Sequence, residues 1–452
     1  MALLVAFGIA TGCGAPSASR PNLLLVTLDT TRADGLSLLG GSPGATPVLD
    51  AFGAEAVVFE RAYSDSNVTN PSHLSIMTGV TALRHGVMSN FARIPSGIDT
   101  LSQSLERVGY ATGGFVSAGP LASAFGWKGF EVMPPVVGVL DAAEVTDRAL
   151  GWLGTKREEP FFAWVHYWNP HTLYDPPDEL FERFYQGDPT DYEGPLIAAA
   201  PFFARARNFG VGPRLKRWLG DVRDPAWGRA KYQAEIHYTD RELGRLFDGL
   251  TASGAASDTV VVVTADHGES LGEHDIYYAH VGVYDEVLHV PLLIRVPGIA
   301  SARSRLPVST LDIAPTIAEL LDLELEHEIE GLSLVSALHG TPSPELVGRE
   351  RFVHTHASNR VVAIRDGRWK LIWPIDLDDR VLSNRVELFD LIDDPAEEHD
   401  VAAAHPDVVA RLREPLGPWV KHGRSATAGG GQAAPAVDSK IRAQLEALGY
   451  SE

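Results

Sequence analysis

Cysteine is almost missing from this chain: Cys13 is the one example in 452 residues. No intramolecular disulfide and no cysteine-based zinc knuckle can therefore form. Basic residues are also scarce, 38 Lys and Arg against 59 Asp and Glu, for a formal net charge of -21. Nowhere do they gather into a stripe that could follow a phosphate backbone, which excludes a nucleic-acid partner. No apolar run approaches the roughly 20 residues of a spanning helix, so a polytopic membrane protein is excluded. No repeat of 20–50 residues is present, so neither is a solenoid. What remains is 45% hydrophobic and 21% charged residues, the profile of a soluble globular protein. The length suits one large α/β domain with a smaller companion.

The apolar stretch at residues 2–10 has the length of a signal-peptide h-region rather than of a membrane span. It is followed by Ala10-Thr11-Gly12-Cys13, which resembles the lipobox of bacterial lipoproteins, although no Lys or Arg precedes it. The resemblance implies that residues 1–12 are removed and that Cys13 carries a lipid anchor. Residues 13–22, small and polar with two prolines, then form a tether. The folded part is expected in the bacterial cell envelope, periplasmic or on the outer surface.

Three apolar runs end abruptly in polar residues. Leu23 through Leu28 runs into Asp29, Phe161 through Val165 into His166, and Thr259 through Thr264 reaches Asp266-His267. Such runs are strands buried on both faces of a parallel sheet. Helical patterns at 101–108, 143–153 and 230–250 alternate with them. The expected fold is α/β, a doubly wound, mostly parallel sheet over residues 23–350, with ligands at the carboxyl ends of the strands. Residues 351–420 read differently. Asp366-Gly367 between two apolar runs predicts a tight hairpin, and 386–391 a further strand, hence a small antiparallel subdomain. Residues 421–452 read as a Gly-, Ala- and Pro-rich linker and a terminal amphipathic helix at 439–448.

The polar residues at the strand ends carry the chemistry. Asp266 and His267 can offer one carboxylate oxygen and one imidazole nitrogen to a divalent ion, with Gly268 permitting a sharp turn. Asp29 occupies the equivalent position on another strand and would face the same rim. Thr69-Asn70-Pro71-Ser72-His73 precedes an apolar stretch ending at Gly79, so Thr69 stands at or just before a helix N-terminus. Taken alone, Thr69 reads as a helix cap. Beside a metal it reads as a nucleophile. His166, close to its apolar strand, reads as a core histidine. The aromatic segment 178–227 reads either as a substrate wall or as packing within an insertion.

Together these segments resemble the sulfatase branch of the alkaline phosphatase superfamily. Leu28-Asp29-Thr30-Thr31-Arg32 looks like its first metal-binding strand, and 69–79 like its Cys/Ser-x-Pro-Ser-Arg…Thr-Gly nucleophile motif. His166 through His171 with Tyr174 and Pro176-Pro177 is similar to its His…Asp-Pro-His…Tyr-x-Pro-Pro stretch, and 266–274 to its Asp-His-Gly-Glu-x-Leu-Gly-Glu-His. Tyr284-Asp285-Glu286, Leu311 through Thr316, and Glu387 through Leu391 with Asp394-Pro395 follow in the family's order.

The departures from that pattern direct the chemistry. Sulfatases of this type convert the motif's Cys or Ser to formylglycine, and Thr69 cannot, because its β-carbon already bears a methyl group. Formylglycine is therefore not expected. The motif's Arg is His73, the second Asp of the usual metal pair is Thr30, and the sulfate-gripping Gly-Lys-Trp-His segment is replaced at 113–117. His267 replaces the family's Asn, which favours zinc or manganese over calcium. A metal set of Asp29, Thr69, Asp266 and His267 is similar to that of phosphodiesterases, phosphonate monoester hydrolases and phosphoethanolamine transferases of the same superfamily. The resemblance then implies that Thr69 attacks phosphorus and forms a covalent phospho-Thr. His171 and His280 would hold the equatorial oxygens or, with a carboxylate or Asn169, build a second metal site. The expected substrate is a small-molecule, glycan or lipid ester. A sulfuric ester hydrolase and a catalytically silent envelope-binding lipoprotein are the alternatives.

Overall fold

A computed structural model describes residues 20–133, 139–155, 159–205, 212–349, 351–356, 361–374 and 385–428. The expected signal segment, Cys13, most of the tether and the terminal helix at 439–448 lie outside the described residues. No helix among the described residues is long and apolar enough to cross a membrane.

The strands in chain order are β1 (Asn22–Leu28), β2 (Val57–Tyr63), β3 (Ala111–Val116), β4 (Phe161–Tyr167), β5 (Thr259–Ala265), β6 (Ser270–Leu271), β7 (Tyr277–Ala279), β8 (His289–Arg295), β9 (Ala302–Ser304), β10 (Val308–Ser309), β11 (Arg351–His356), β12 (Val361–Asp366), β13 (Trp369–Pro374) and β14 (Glu387–Asp390). The main sheet runs β10-β2-β8-β5-β1-β4-β3, with β9 also on β2. β1 is central and parallel to both β4 and β5. β8 is antiparallel to β2 and β5, so the sheet is mixed rather than uniformly parallel. An apolar run carries no record of strand direction, which is why the sequence does not reveal the reversal.

The central strands are apolar on both sides because helices cover both sides. Leu23, Leu25, Phe162, Trp164, Val260 and Val262 face one core, which the helices Thr69–Thr78, Leu101–Arg107 and Ile313–Leu321 complete. Leu24, Val26, Ala163, Val165, Val261 and Val263 face the other, closed by Ala142–Leu153 and Pro225–Ala252. Asp141 and Asp224 cap these last two helices by accepting from Ala143 N and Ala226 N.

The strands β11 to β14 form a four-stranded antiparallel meander. Its apolar face, including Val362, Ile364, Leu371 and Leu388, packs on Leu412 and Leu416 of the helix Pro406–Ala428. That helix runs into the stretch read as linker. The hairpin turn lies one residue later than expected. Asp366 pairs with Trp369, leaving Gly367 (φ 53°) and Arg368 as the two-residue loop. Arg411 holds the Asp366 carboxylate at 2.6 Å and keeps that residue in the strand.

Candidate active site

Strand register builds the site. Leu28 of β1 pairs with Ala265 of β5, so Asp29 and Asp266 leave adjacent parallel strands side by side at their carboxyl ends. Asp29 N donates to Tyr167 O at 2.9 Å, and Thr30 N donates to Asp266 Oδ1 at 3.2 Å. Thr30 takes φ 49°, a region that β-branched residues avoid. In this conformation its amide meets Asp266. His267 N also donates to Asp266 Oδ1, at 2.8 Å.

One donor atom each from Asp29, Asp266 and His267 lies within 4.8 Å of the others, and all three residues are fully buried. His267 Nδ1 donates to Gly268 O at 3.0 Å. Because a carbonyl only accepts, Nδ1 carries the proton and Nε2 presents its lone pair to the cluster. Both Asp29 carboxylate oxygens, Asp266 Oδ2 and His267 Nε2 have no hydrogen-bond partner among the described residues. Burial pushes the Asp29 and Asp266 carboxyls well above their usual range, and the charges of Asp266 and Glu269 add to this for Asp29. Burial also holds the His267 imidazole neutral, well below its ordinary value. Two dry carboxylates with a neutral imidazole are a donor set that suits a divalent cation.

Thr69 is the first residue of the helix Thr69–Thr78, and Val68 is its N-cap. Thr69 Oγ1 caps nothing. It is buried and has no hydrogen-bond partner among the described residues, which removes the plain capping role. Gly79 closes the helix in the left-handed region. The first turn is fastened to the chain leaving β5: Ser72 Oγ donates to Asp266 O at 2.7 Å, and the Ser64 hydroxyl donates to the same oxygen. His73 Nδ1 donates to Thr69 O at 2.8 Å and lies 3.6 Å from Asp266 Oδ2. The helix end that carries Thr69 is thereby set beside the carboxylates.

The remaining histidines divide into two groups. His73 Nε2 accepts from Thr27 Oγ1 at 3.0 Å, and Thr27 Oγ1 accepts from Trp164 Nε1. His166, inside β4 rather than after it, has Nδ1 at 3.3 Å from Thr27 O and Nε2 3.6 Å from Asp29 Oδ2. It stands behind the carboxylate as well as in the core. Burial lowers His73 to about 4 and His166 well below its ordinary value. His280 stacks on His267 with centroids 4.4 Å apart, and its Nδ1 donates to Asn67 O at 2.8 Å. His171 lies 5.4 Å from His280 between ring centroids, and its Nδ1 donates to Thr172 O. Among the described residues, neither joins a three-ligand metal cluster. Asn169 Nδ2 donates to Glu235 at 2.7 Å.

Glu269 belongs to the 266–274 motif, where the sequence assigns it no role. It is fully buried, accepts from the Thr172 hydroxyl at 2.8 Å and from the Tyr174 hydroxyl, and burial pushes it up to about 8. Its place three residues after Asp266, in the polar run beyond β5, was the available signal. Gly268 serves differently from the expected turn. Its φ is not positive. A β-carbon there would sit 2.3 Å from Glu286 O, so the glycine admits the chain at 285–288. In the segment 178–227, Phe202 and Phe203 are buried with Leu215 of the same segment and with Tyr174 and Tyr278 outside it, so these two rings pack the segment onto its neighbours.

The sulfatase family profile matches residues 21–323, and the profile of the C-terminal part of N-sulphoglucosamine sulphohydrolase matches 272–419. The chain is 24% identical to a Δ4,5-hexuronate-2-O-sulfatase of Bacteroides thetaiotaomicron over 86% of each chain. It is 26% identical to a choline-sulfatase of Rhizobium meliloti over 84% of this chain and 81% of that one. Its fold is similar to that of the phosphonate monoester hydrolase of Agrobacterium radiobacter, with TM-score 0.70, 24% identity, and 89% and 96% of the two chains covered.

Proposed function

Since the chain belongs to the sulfatase family and is an ester-bond hydrolase, we propose that it cleaves phosphodiester or phosphonate-type esters with Thr69 as nucleophile. The observation that carries this reading is the Thr69 hydroxyl, buried and unengaged at a helix N-terminus whose first turn is tied to Asp266. Asp29, Asp266 and His267 would hold a divalent ion together with Thr69. Such an ion, zinc or manganese by the imidazole in the set, would favour the alkoxide of a neighbouring hydroxyl and polarise a non-bridging oxygen.

The chain's own groups account for the rest. Thr69 Oγ forms a bond to phosphorus as the opposite ester P–O bond breaks, and the departing oxygen leaves with a proton. Water then attacks the phospho-Thr, the P–Oγ bond breaks, and Thr69 regains its proton. His280 has its Nδ1 proton committed to Asn67 O, and burial keeps the ring neutral, so Nε2 is a proton acceptor suited to that water. His171 lies beside His280, ring centroids 5.4 Å apart. The methyl group of Thr69 supports phosphorus over sulfur, because no aldehyde hydrate is available to expel sulfate.

A second reading, a sulfuric ester hydrolase that works without formylglycine, is favoured by the two sulfatase relatives. Turnover of aryl sulfate, aryl phosphate and bis-aryl phosphate esters, each with zinc, manganese and calcium, separates the two. An aryl-sulfate preference would replace the first reading with the second. The lipobox-like segment supports attachment to the bacterial envelope through Cys13, and Cys13→Ser is expected to release the protein from the membrane fraction.

A further inference from the structure

A second donor cluster lies away from Thr69, where the small sheet meets the large one. His274, Glu286 and Glu397 each place one ligand atom within 4.8 Å of the others. They come from three separate segments: the turn Glu273–Asp275, the helix Asp285–Leu288 and the chain after β14. His274 and Glu397 both adopt positive φ, 53° and 57°, conformations that cost non-glycine residues about 1 kcal/mol or more each.

The side chains are held with their donor atoms inward. The His274 ring stacks on Tyr284 at 3.8 Å and 8°, and its buried Nε2 has no hydrogen-bond partner among the described residues. Glu286 Oε2 is 3.7 Å away, beyond hydrogen-bond reach, while Oε1 accepts from Ser270 at 2.9 Å. Glu397 Oε2 accepts from Asp285 N at 2.7 Å, and Oε1 is 2.8 Å from Lys370 Nζ. Lys370 is shared with Asp285, which also takes Arg365. Lys370 and Arg365 are thus taken up by Asp285 and Glu397, whereas Glu286 has no Lys or Arg ion pair among the described residues and faces the imidazole nitrogen.

We propose that His274, Glu286 and Glu397 form a second divalent-metal site, distinct from the one at Asp29, Asp266 and His267, that staples the C-terminal sheet to the loops beneath the active site. The nitrogen donor and the small ligand number point to a zinc-class ion rather than calcium. A tetrahedral zinc holds its ligand atoms about 3.3 Å apart; the His274–Glu286 pair at 3.7 Å is already near that spacing, and the cluster as a whole, within 4.8 Å, closes by up to about 1.5 Å. The inference does not depend on which ester the enzyme cleaves.

Metal content tests it independently of turnover. The full chain, stripped with a chelator and dialysed against zinc, is expected to carry two equivalents. The double variant Asp29→Asn, Asp266→Asn is expected to keep one, and adding Glu286→Gln to bring the count to zero. His274→Gln is the second variant should Glu286→Gln not fold. In the otherwise native chain either change takes two equivalents to one. A double variant that binds no zinc would mean that a proton, not a metal, sits between His274 and Glu286, and would overturn the proposal. So would an equivalent that survives loss of both Glu286 and His274.

Discussion

Asp29 and Asp266 leave neighbouring parallel strands one residue beyond the paired Leu28 and Ala265, and the amide next to the first donates to the carboxylate of the second. The sheet itself therefore forces two buried acids together. Without a cation they resist ionisation, since burial raises both and the charge of Asp266 adds to this for Asp29.

Removal of metal should accordingly abolish turnover. Zinc or manganese should restore it at least about tenfold better than calcium, given the imidazole at His267. Ligand-linked stabilisation should follow, about 2.7 kcal/mol at a free metal concentration a hundredfold above Kd. Thermal melts with and without metal, and the same melts of Asp266→Asn, check this.

Thr69→Ala should lower kcat/KM at least about 10³-fold while leaving the circular dichroism spectrum unchanged, because the hydroxyl makes no structural hydrogen bond. Thr69→Ser should retain activity within a factor of about ten. Recovery of a substrate-derived phosphoryl group on the peptide bearing Thr69 would place the nucleophile directly. Unchanged turnover in Thr69→Ala would refute the mechanism.

Gly268→Ala tests the packing behind His267. Its β-carbon would meet Glu286 O at 2.3 Å and Arg32 Cγ at 2.9 Å. The backbone that carries His267 must then move, at a cost of about 1–3 kcal/mol. Metal affinity should fall about 10- to 100-fold, read by competition with a chromogenic chelator.

Asp65 supplies a pH signature apart from the metal. Its carboxylate accepts from Ser75 Oγ at 2.9 Å and Ala82 N at 2.7 Å, and burial raises it from 3.8 to about 7. The folded state holds this proton longer than the unfolded chain does. Stability present below pH 4 is therefore lost as pH rises towards 7, by an amount on the order of a few kcal/mol. Asp65→Asn should remove that decline, measured as urea midpoint against pH. Parallel curves for the two proteins would contradict the assignment.

The candidate ligands were readable because a strand buried on both faces admits no unpaired carboxylate until it leaves the sheet. Asp29 and Asp266 stand out at that boundary. His166 ended an apolar run in the same way, yet β4 continues to Tyr167 and encloses it. Glu269 and Thr30 matter through hydrogen bonds from residues far along the chain or through a backbone angle, and neither leaves a periodic trace. The antiparallel β8 was hidden for a related reason: alternation records which faces are buried, never which way the strand points.

The doubly buried core of β1 has a further consequence. A strand with one wet face is locked in place because sliding it by one residue would expose its apolar side. β1 has no wet face, so its leucines would tolerate displacement along their neighbours. Alignment falls instead to its ends. At one, Asn22 accepts from Phe161 N at 3.0 Å and donates to Asp258 O at 3.2 Å; at the other, Asp29 N reaches Tyr167 O. The spacing of the groups at the carboxyl ends is thus calibrated by an amide side chain at the opposite end of β1.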